Sequence, residues 1–365
     1  MKRIIECVPN FSEGRDKAVI AAIAEAIEKG GREAACEEPG VKILGTEPGE
    51  AANRTVITFA GSPEAVAEAA FRAAECAGRL IDMRKHEGVH PRSGATDVLP
   101  FVPVQGITLG ECADIARRTA ERIFRETGIP CYCYEAAAFR PDRKNLAVCR
   151  AGGYEALPEK IADPLRKPDF SPERFTEKAA RAGACNVGAR KFLIAVNFNL
   201  DTTDAAAASE IAADIREKGR PAKDPVTGEI LREPDGKAKM IPGALKGCKA
   251  IGWYIAEYGI AQVSVNITDT DLAPLHRVFD EASRSAAARG LRVTGTEIIG
   301  LVPLKSLTDA GRHALSLQGR TQDITEEDAV RAATEYLGLN ELRPFRPEEK
   351  VLEYAIGYQR TASME

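Results

Sequence analysis

The sequence lacks several features that would point directly to a class of protein. It has no block of basic residues, and its 365 residues carry a net charge of −4 with a pI of about 5.8. This balance disfavours a nucleic acid or an anionic membrane as a partner. No apolar run approaches the roughly 18 residues that span a bilayer, and the start, MKRIIECVPN, contains no signal-peptide core. We therefore expect a cytoplasmic protein that binds neither nucleic acid nor membrane.

Cysteine motifs are also missing. The nine cysteines are scattered along the chain. The closest pair, Cys131 and Cys133, has one residue between its members instead of the two of a metal or redox motif. A scattered, odd-numbered set is typical of a reduced cytoplasm. Four cysteines lie in apolar-patterned segments and are expected to be buried free thiols: Cys7, Cys112, Cys131 and Cys248.

Glycine motifs that bind phosphate do not occur either. The sequence contains no G-x-G-x-x-G. Residues 183–190 have the glycine spacing of a P-loop but lack the Gly-Lys-Ser/Thr that binds phosphate and magnesium. This segment also precedes a strand, whereas a P-loop follows one. We do not expect ATP to bind by this route.

What the chain does contain is the composition of a globular protein, 44% hydrophobic and 28% charged. A chain of 365 residues is longer than a single hydrophobic core usually supports, so more than one domain is expected. From residue 191 the periodicity predicts strand, helix, strand, strand, helix, strand, the split βαβ order. The first half predicts the same order with one more helix and strand. We expect an α/β (α+β) protein of two related ferredoxin-like lobes with a ligand cleft between them.

The two halves also resemble each other in sequence. Residues 97–104 (DVLPFVPV) parallel residues 297–304 (EIIGLVPL), and VPNF at 8–11 resembles VNF at 196–198. We predict a first subdomain over 1–186, a second over 187–330, and a C-terminal helical extension over 331–365 that packs on the second lobe. Residues 219–247 are rich in proline and glycine, which predicts a long surface loop or exposed hairpin.

The letters HEGVH at 86–90 match the H-E-x-x-H motif of zinc proteases, which requires one helix to carry both histidines. Gly88 weakens a helix by roughly 1 kcal/mol, and Pro91 biases His90 away from helical angles. We therefore expect no metal here. The other two histidines lack ligand-like neighbours, and the first lies beside an apolar helical stripe, as a helix-face histidine would: His276 and His313.

Residues 84–97 form a dense run of polar, titratable and turn residues between a helix and a buried strand. Loops of this kind often present functional groups over a rigid scaffold. An imidazole at His90, held beside Pro91, would titrate near neutral pH and is suited to proton transfer. The residues alone leave open a solvated loop with incidental histidines.

Seven motifs, which span nearly the whole chain in order, resemble the formiminotransferase family. The resemblance is specific because several of the motifs are long. They are CVPNFSEG (7–14), NRTV (53–56), LIDM (80–83), HPRSGATDV (90–98), AGGYEALP (151–158), GARKFLIA (188–195) and GLVPLK (300–305).

The resemblance implies transfer of a formimino group from N-formimidoyl-L-glutamate to N5 of tetrahydrofolate, a step of histidine degradation and one-carbon metabolism. It implies tetrahydrofolate as co-substrate, bound between two lobes, and a catalytic histidine in the His-Pro-Arg motif, which is His90. N5 must lose a proton as it attacks, and the leaving glutamate nitrogen must gain one. One imidazole can do both in turn. The chain ends where mammalian members begin a second enzyme domain, so we expect a stand-alone transferase.

Further site residues follow from the resemblance. Glu47 stands where mammalian members have an aspartate that is a catalytic-site candidate. Arg190 and Lys191 match well and suit a carboxylate of folate or of the donor. The family's folate segment falls on 171–183, where this sequence is longer and has Arg-Ala-Gly at its end. The remaining positions expected to bind substrate or folate are Gly183, Asn10, Asn53 and Arg92.

Several alternatives stay open. A related folate enzyme could use formiminoglycine or formylglutamate as donor, or could cyclise 5-formyltetrahydrofolate. A ligand-binding module is a different class, since paired split βαβ lobes also serve as small-molecule sensors. A metalloprotease is the remaining reading of the HEGVH letters. We expect a homodimer whose partners are otherwise small molecules.

Overall fold

The computed structural model describes residues 3–34, 40–50, 53–88 and 92–357. The chain divides into two compact units, Met1–Lys191 and Phe192–Glu365. The boundary predicted after residue 186 would cut a strand of the first unit, Cys185–Ala189. The mixed α/β class and the division into two related lobes are confirmed, whereas the predicted ligand cleft between the lobes stays a prediction.

The first unit alternates strands and helices. Its strands are β1 (Ile4–Cys7), β2 (Asn10–Phe11), β3 (Lys42–Gly49), β4 (Arg54–Gly61), β5 (Thr96–Gln105), β6 (Cys131–Glu135) and β7 (Cys185–Ala189). Its helices are α1 (Lys17–Ala34), α2 (Pro63–Leu80), α3 (Leu109–Thr127), α4 (Leu146–Arg150), α5 (Leu157–Ala162) and α6 (Glu177–Ala182), with a 3₁₀ turn at Pro141–Lys144.

These strands form one sheet in which β1 and β2 act as a single interrupted strand. The sheet order is β3-β4-β1/β2-β5-β7-β6. The first four positions pair antiparallel in the order of a ferredoxin-like lobe. Strands β7 and β6 then extend the sheet in parallel. The added helix and strand predicted for this half are therefore present, and β7 is inserted between β5 and β6.

Local signals determine where the long helices begin. Ser62 caps α2 with its side chain, and Pro63 occupies the first turn, where its missing N–H is harmless. Thr108 and Glu111 form a reciprocal capping box at the start of α3. Gly128 ends α3 with φ +75°, a left-handed conformation that favours glycine. All three are signals of local sequence.

The main core of the first unit lies between the sheet and helices α1, α2 and α3. Alternate strand residues point into it, among them Phe11, Ile57 and Leu99, all fully buried. A smaller cluster on the opposite face packs Val98 and Tyr132 against the short helices α4, α5 and α6. The β2 and β4 part of that face carries polar residues instead, and the site described below lies there.

The second unit repeats the same plan. Its strands are β8 (Ile194–Leu200), β9 (Arg220–Pro221), β10 (Met240–Ile241), β11 (Cys248–Ile255), β12 (Ile260–Ile267) and β13 (Val293–Ile299). Its helices are α7 (Ala205–Ile215), α8 (Leu275–Ala287), α9 (Leu304–Leu317), α10 (Glu326–Tyr336), α11 (Pro347–Lys350) and α12 (Leu352–Ala355). The main sheet runs β11-β12-β8-β13, all antiparallel, which again is the ferredoxin-like order.

The proline-rich segment between α7 and β11 is an exposed hairpin, one of the two forms predicted. Strands β9 and β10 pair antiparallel at its base, and Val226 near its tip is 91% exposed. Helix α7 covers the outer edge of β11, because the Glu217 N–H and the Ser209 hydroxyl donate to β11 carbonyls. Trp253 on β11 is 40% exposed.

The predicted buried thiols are confirmed. Cys7, Cys112, Cys131 and Cys248 are all free and buried. Burial raises the pKa of both Cys112 and Cys248 to about 12, so these thiols stay protonated at neutral pH. No helix within the described ranges is both long and apolar enough to cross a membrane.

Candidate active site

The β-sheet register aligns a row of residues across the first unit. Asn10 on β2 and Glu47 on β3 both pair with Val56 of β4, and Asn10 also pairs with Val98 of β5. Residues in register across a sheet project from the same face. This row therefore lies opposite the face that packs on α1, α2 and α3. Asn10 is partly buried, and Glu47 is exposed.

A β-bulge brings a carboxylate to this row. On β2, Asn10 pairs with Val98 and Phe11 pairs with Thr96, so the register shifts and Asp97 is the extra residue of the bulge. Bulges of this kind redirect a side chain and are frequent beside active sites. The redirected Asp97 is fully buried.

Two guanidinium groups neutralise Asp97. Arg54 Nη1 lies 3.2 Å and Arg150 Nη2 lies 2.7 Å from Asp97 Oδ2, and the Ser93 N–H donates to Oδ1 at 2.8 Å. Arg54 also donates to Asn10 Oδ1 from Nε at 2.9 Å and from Nη2 at 2.6 Å. Burial lowers the pKa of Arg54, while Asp97 acts in the opposite direction. Arg54 remains a cation at neutral pH.

Asn53 precedes Arg54 and connects three loops. Its φ is +46°, a left-handed conformation that asparagine adopts more readily than most residues. Its Oδ1 accepts from the Gly14 N–H at 2.9 Å, and its Nδ2 donates to the Glu87 carbonyl at 3.0 Å. The β2–α1 loop, the β3–β4 loop and the loop after α2 therefore meet at this side chain.

His86 and Arg92 form the next layer of contacts. His86 Nε2 lies 2.8 Å from the Asn53 carbonyl oxygen, which can only accept, so Nε2 carries the hydrogen. Nδ1 then accepts from Arg92 Nε at 3.3 Å. Arg92 also pairs with Glu155 at 2.8 Å. Both nitrogens of His86 are thus engaged within the protein.

Two glycines allow the loop before β5 to contact the chain before β7. Gly94 and Gly183 form an isolated β-bridge. A Cβ on Gly94 would lie 2.6 Å from the Ala184 carbonyl oxygen, and one on Gly183 would lie 2.3 Å from the Ser93 carbonyl oxygen. No side chain fits at either position. Gly183 also has φ +70°.

The structure brings several predicted site residues together and separates others. Asn10, Asn53, Arg92 and Gly183 belong to the contact network around Asp97 and the loop after α2. Glu47 shares the sheet row but is exposed on β3. Arg190 and Lys191 follow β7, where Arg190 Nη1 donates to the Lys191 carbonyl at 3.1 Å. His90 lies outside the described residues. The ligand-binding and catalytic roles of all these residues stay predictions.

Sequence reasoning did not single out the charged centre of this network. Arg54 and Asp97 stand in the NRTV and HPRSGATDV motifs, and Arg150 directly precedes AGGYEALP. Nothing in their spacing indicates that they pair. One sequence feature could have indicated the pairing: charged residues stand inside otherwise apolar strands, where a buried charge needs a partner.

The remaining predictions about histidines concern metal binding. Residues 86–88 of the HEGVH letters lie outside any helix, as expected. In the described ranges, no three His, Cys, Asp or Glu side chains are grouped so that they could hold a metal ion. His276 is partly buried on α8, where its ring stacks on that of His313 with 4.6 Å between centroids.

A similar amide–carboxylate pair occurs at the matching place in the second unit. Asn197 on β8 donates to Glu297 on β13 at 3.2 Å, and Tyr258 donates to the same carboxylate at 3.3 Å. The sequence echoes align Asn197 with Asn10 and Glu297 with Asp97, which Arg54 joins in the first unit.

Comparisons with known proteins agree with this architecture. A family model described as "Formiminotransferase domain, N-terminal subdomain" matches residues 4–190, and one described as "Formiminotransferase domain" matches residues 195–357. A "Glutamate formimidoyltransferase" of Streptococcus pyogenes serotype M1 is 40% identical over 87% of this chain and 95% of its own length. One from Thermoplasma acidophilum is 37% identical over 90% of this chain and 98% of its own length.

The chain is also similar to longer proteins. The "Formimidoyltransferase-cyclodeaminase" of Rattus norvegicus is 43% identical over 98% of this chain, which spans 60% of that relative's length. Among solved structures, "Complex III2 from Candida albicans, Inz-5 bound" is 9% identical over 94% of this chain and 83% of that one. Its TM-score of 0.16 is too low to bear on the fold. The two matched domains and the relatives covered almost end to end show that the chain belongs to the formiminotransferase family.

Proposed function

We propose that this chain transfers the formimino group of N-formimidoyl-L-glutamate to N5 of tetrahydrofolate, giving 5-formimidoyltetrahydrofolate and L-glutamate. The observation that carries the proposal is the similarity, over 95% and 98% of their lengths, to two relatives named glutamate formimidoyltransferase. The polar network on the first sheet supports a site in the first unit, because several of its residues stand in the matched motifs.

His90 is the proton carrier in this proposal. N5 of tetrahydrofolate loses a proton as it attacks the amidine carbon, and the glutamate nitrogen gains one as it leaves. His86 is poorly placed for this task because its Nε2 donates to Asn53 and its Nδ1 accepts from Arg92. His90 is the other histidine of the same loop, and it stands in the matched His-Pro-Arg motif.

Charge complementarity assigns roles to the other residues. The donor and folate both carry carboxylates, for which Arg190, Lys191 and Arg92 supply cations. The protonated amidine of the donor carries a positive charge before it is attacked, and Glu47 supplies an exposed carboxylate for it. Asn10, Asn53 and Gly183 use their amides or their backbone in contacts within the protein, so in this proposal they serve binding by holding the site in shape.

Further properties belong to the same proposal. Tetrahydrofolate acts as a co-substrate, and no step of the proposed transfer requires a metal. We propose a cytoplasmic homodimer whose other partners are small molecules.

An assay of formimino transfer tests the proposal. Purified protein is incubated with tetrahydrofolate and, in parallel, with N-formimidoyl-L-glutamate, formiminoglycine or formylglutamate. We expect the highest kcat/KM with N-formimidoyl-L-glutamate. Higher turnover with another donor, or cyclisation of 5-formyltetrahydrofolate, would assign a related folate reaction instead. Binding without any turnover would identify a ligand-binding module.

A further inference from the structure

Asn53 makes more contacts between loops than a surface turn residue needs. It is 93% buried, with 7% of its surface exposed. Its Oδ1 accepts from the Gly14 N–H, its Nδ2 donates to the Glu87 carbonyl, and its own carbonyl accepts from His86 Nε2. The amide and the main-chain carbonyl are therefore both used to hold neighbouring segments.

The loop on the Gly14 side is rigidly packed. A Cβ on Gly14 would lie 2.5 Å from the Gly49 carbonyl oxygen and 2.6 Å from the Arg54 N. The β2–α1 loop thus lies directly against the two ends of the β3–β4 loop. Asn53 joins this packed base to residues 86 and 87.

The contacts continue from Asn53 along the loop after α2. His86, held through Nε2 by Asn53, accepts from Arg92 Nε through Nδ1. Arg92 Nη2 also donates to the His86 carbonyl at 3.3 Å, and the Arg92 carbonyl accepts from the Tyr154 N–H at 2.9 Å. Asn53 is thus the link through which the sheet holds His86, Glu87 and, indirectly, Arg92.

We propose that Asn53 is a positioning residue, whose task is to hold His86 and Glu87 in place on the sheet so that the loop after α2 keeps the geometry that catalysis needs. Glu87 stands three residues before His90 in the sequence, and the proposed function makes His90 the proton carrier. A misplacement of about 1 Å can lower a rate by roughly 10²-fold. This inference rests on the proposed formimino transfer, but it also predicts a structural change that can be measured without that activity.

Two substitutions separate the contributions of Asn53. Asn53→Asp keeps an oxygen for the Gly14 N–H but replaces the donor to the Glu87 carbonyl with a second acceptor. Asn53→Gly keeps the left-handed backbone at little cost and removes both side-chain contacts. Asn340→Gly is the matched control, because Asn340 Oδ1 also accepts a loop N–H, from Phe345 at 2.8 Å, in the second unit.

The experiment measures kcat, KM, thermal midpoint and amide hydrogen exchange for the three variants and the unmodified protein. We expect kcat to fall by roughly tenfold or more in both Asn53 variants, with KM within about threefold. Exchange should accelerate for peptides covering residues 82–95, and Asn340→Gly should change neither kcat nor that exchange. The thermal midpoint identifies a variant that has lost its fold. If one Asn53 variant unfolds, the kcat and the exchange of the other variant test the proposal. If both unfold, Asn53 serves general stability and the proposal is wrong.

Three results would contradict the proposal. A raised KM at unchanged kcat would make Asn53 a ligand-binding residue instead. Unchanged exchange over residues 82–95 would show that Asn53 does not hold the loop. Accelerated exchange without loss of kcat would show that the loop is held but that catalysis does not need it. If the unmodified protein transfers no formimino group at all, the proposed function fails, while the exchange data still decide whether Asn53 holds the loop.

Discussion

At the scale of single residues, Asp97 shows how a buried charge is accommodated. A carboxylate without exposure would lose its hydration, which is costly unless charged partners replace it. Arg54 and Arg150 both contact one of its oxygens, and a main-chain N–H contacts the other. The bulge at Asp97 makes these contacts possible, so the backbone irregularity and the ion pairs belong to one feature.

The roles of the two loop histidines can be separated by kinetics. We expect His90→Ala to lose roughly 10²-fold or more in kcat, as for a general acid–base catalyst, with KM largely kept. His86→Ala should lose considerably less, because both ring nitrogens of His86 are used in contacts with Asn53 and Arg92. Both variants are measured in one assay. If His90→Ala keeps a near-normal kcat while His86→Ala does not, the proton carrier is His86.

At the scale of secondary-structure elements, periodicity indicates that a helix is present more reliably than it indicates the residue at which the helix ends. Helix α1, for example, continues through Gly30 and Gly31 to Ala34. Gly30 and Gly31 usually disfavour a helix, but here both are buried against neighbours. A Cβ on Gly31 would lie 2.4 Å from Val41 Cβ. Close packing, which the sequence does not display, therefore overrides the weak helix propensity.

Strand β7 shows a second limit of prediction. The sequence predicts only that residues 183–190 precede a strand, yet Cys185–Ala189 is itself a fully buried strand. Its pairing with β5 brings together residues about ninety positions apart, as Val98 and Asn186 show. Short apolar segments of this kind cannot be assigned by periodicity alone.

The histidine pair between α8 and α9 predicts a pH-dependent stability. Burial and the neighbouring His313 lower the pKa of His276. The folded state therefore binds a proton less readily than the unfolded state, so stability is lost as the pH falls below about 6.5. Protonating both stacked rings would also place like charges together. The charged and titratable groups that act on His276 include His313, Asp280, Asp309 and Lys305. Tyr336 contacts His313 and Asp280.

Thermal unfolding followed by circular dichroism at several pH values tests this prediction. We expect the Tm of the unmodified protein to fall between pH 7.5 and 5.5, because the folded state binds a proton at His276 less readily than the unfolded state does. His276→Gln should reduce this pH dependence, whereas Arg277→Gln on the exposed side of α8 should not. If the Tm depends on pH identically in all three proteins, His276 does not cause that dependence.

At the scale of the whole molecule, the sequence predicted the plan of the fold more fully than it predicted the site. Both ferredoxin-like lobes follow from patterns within each half, because strand and helix periodicity is local. The site instead depends on the Arg54–Asp97 contact, which joins residues 43 positions apart, and on a bulge. Family motifs contained these residues, but only the three-dimensional structure shows that they form one network.

Arg190 and Lys191, the two cations that follow β7, should make the affinity for acidic ligands depend on the ionic strength. We expect Arg190→Ala and Lys191→Ala to weaken binding of tetrahydrofolate or N-formimidoyl-L-glutamate, and the affinity of the unmodified protein to fall as salt is added. Isothermal titration calorimetry at low and high salt measures both effects. Lys237→Ala, in the exposed hairpin of the second unit, is the control. If both substitutions leave the affinity for the two ligands unchanged, Arg190 and Lys191 do not bind them.

Trp253 on β11 is the single tryptophan of the sequence, and it is 40% exposed. Tryptophan fluorescence, when it is excited selectively, therefore comes only from β11 in the second unit. The wavelength of its emission maximum depends on how much water surrounds the indole ring. The chain thus carries an intrinsic optical probe. A spectral shift on adding a small molecule, or during unfolding, can be assigned to the surroundings of β11 without attaching a dye.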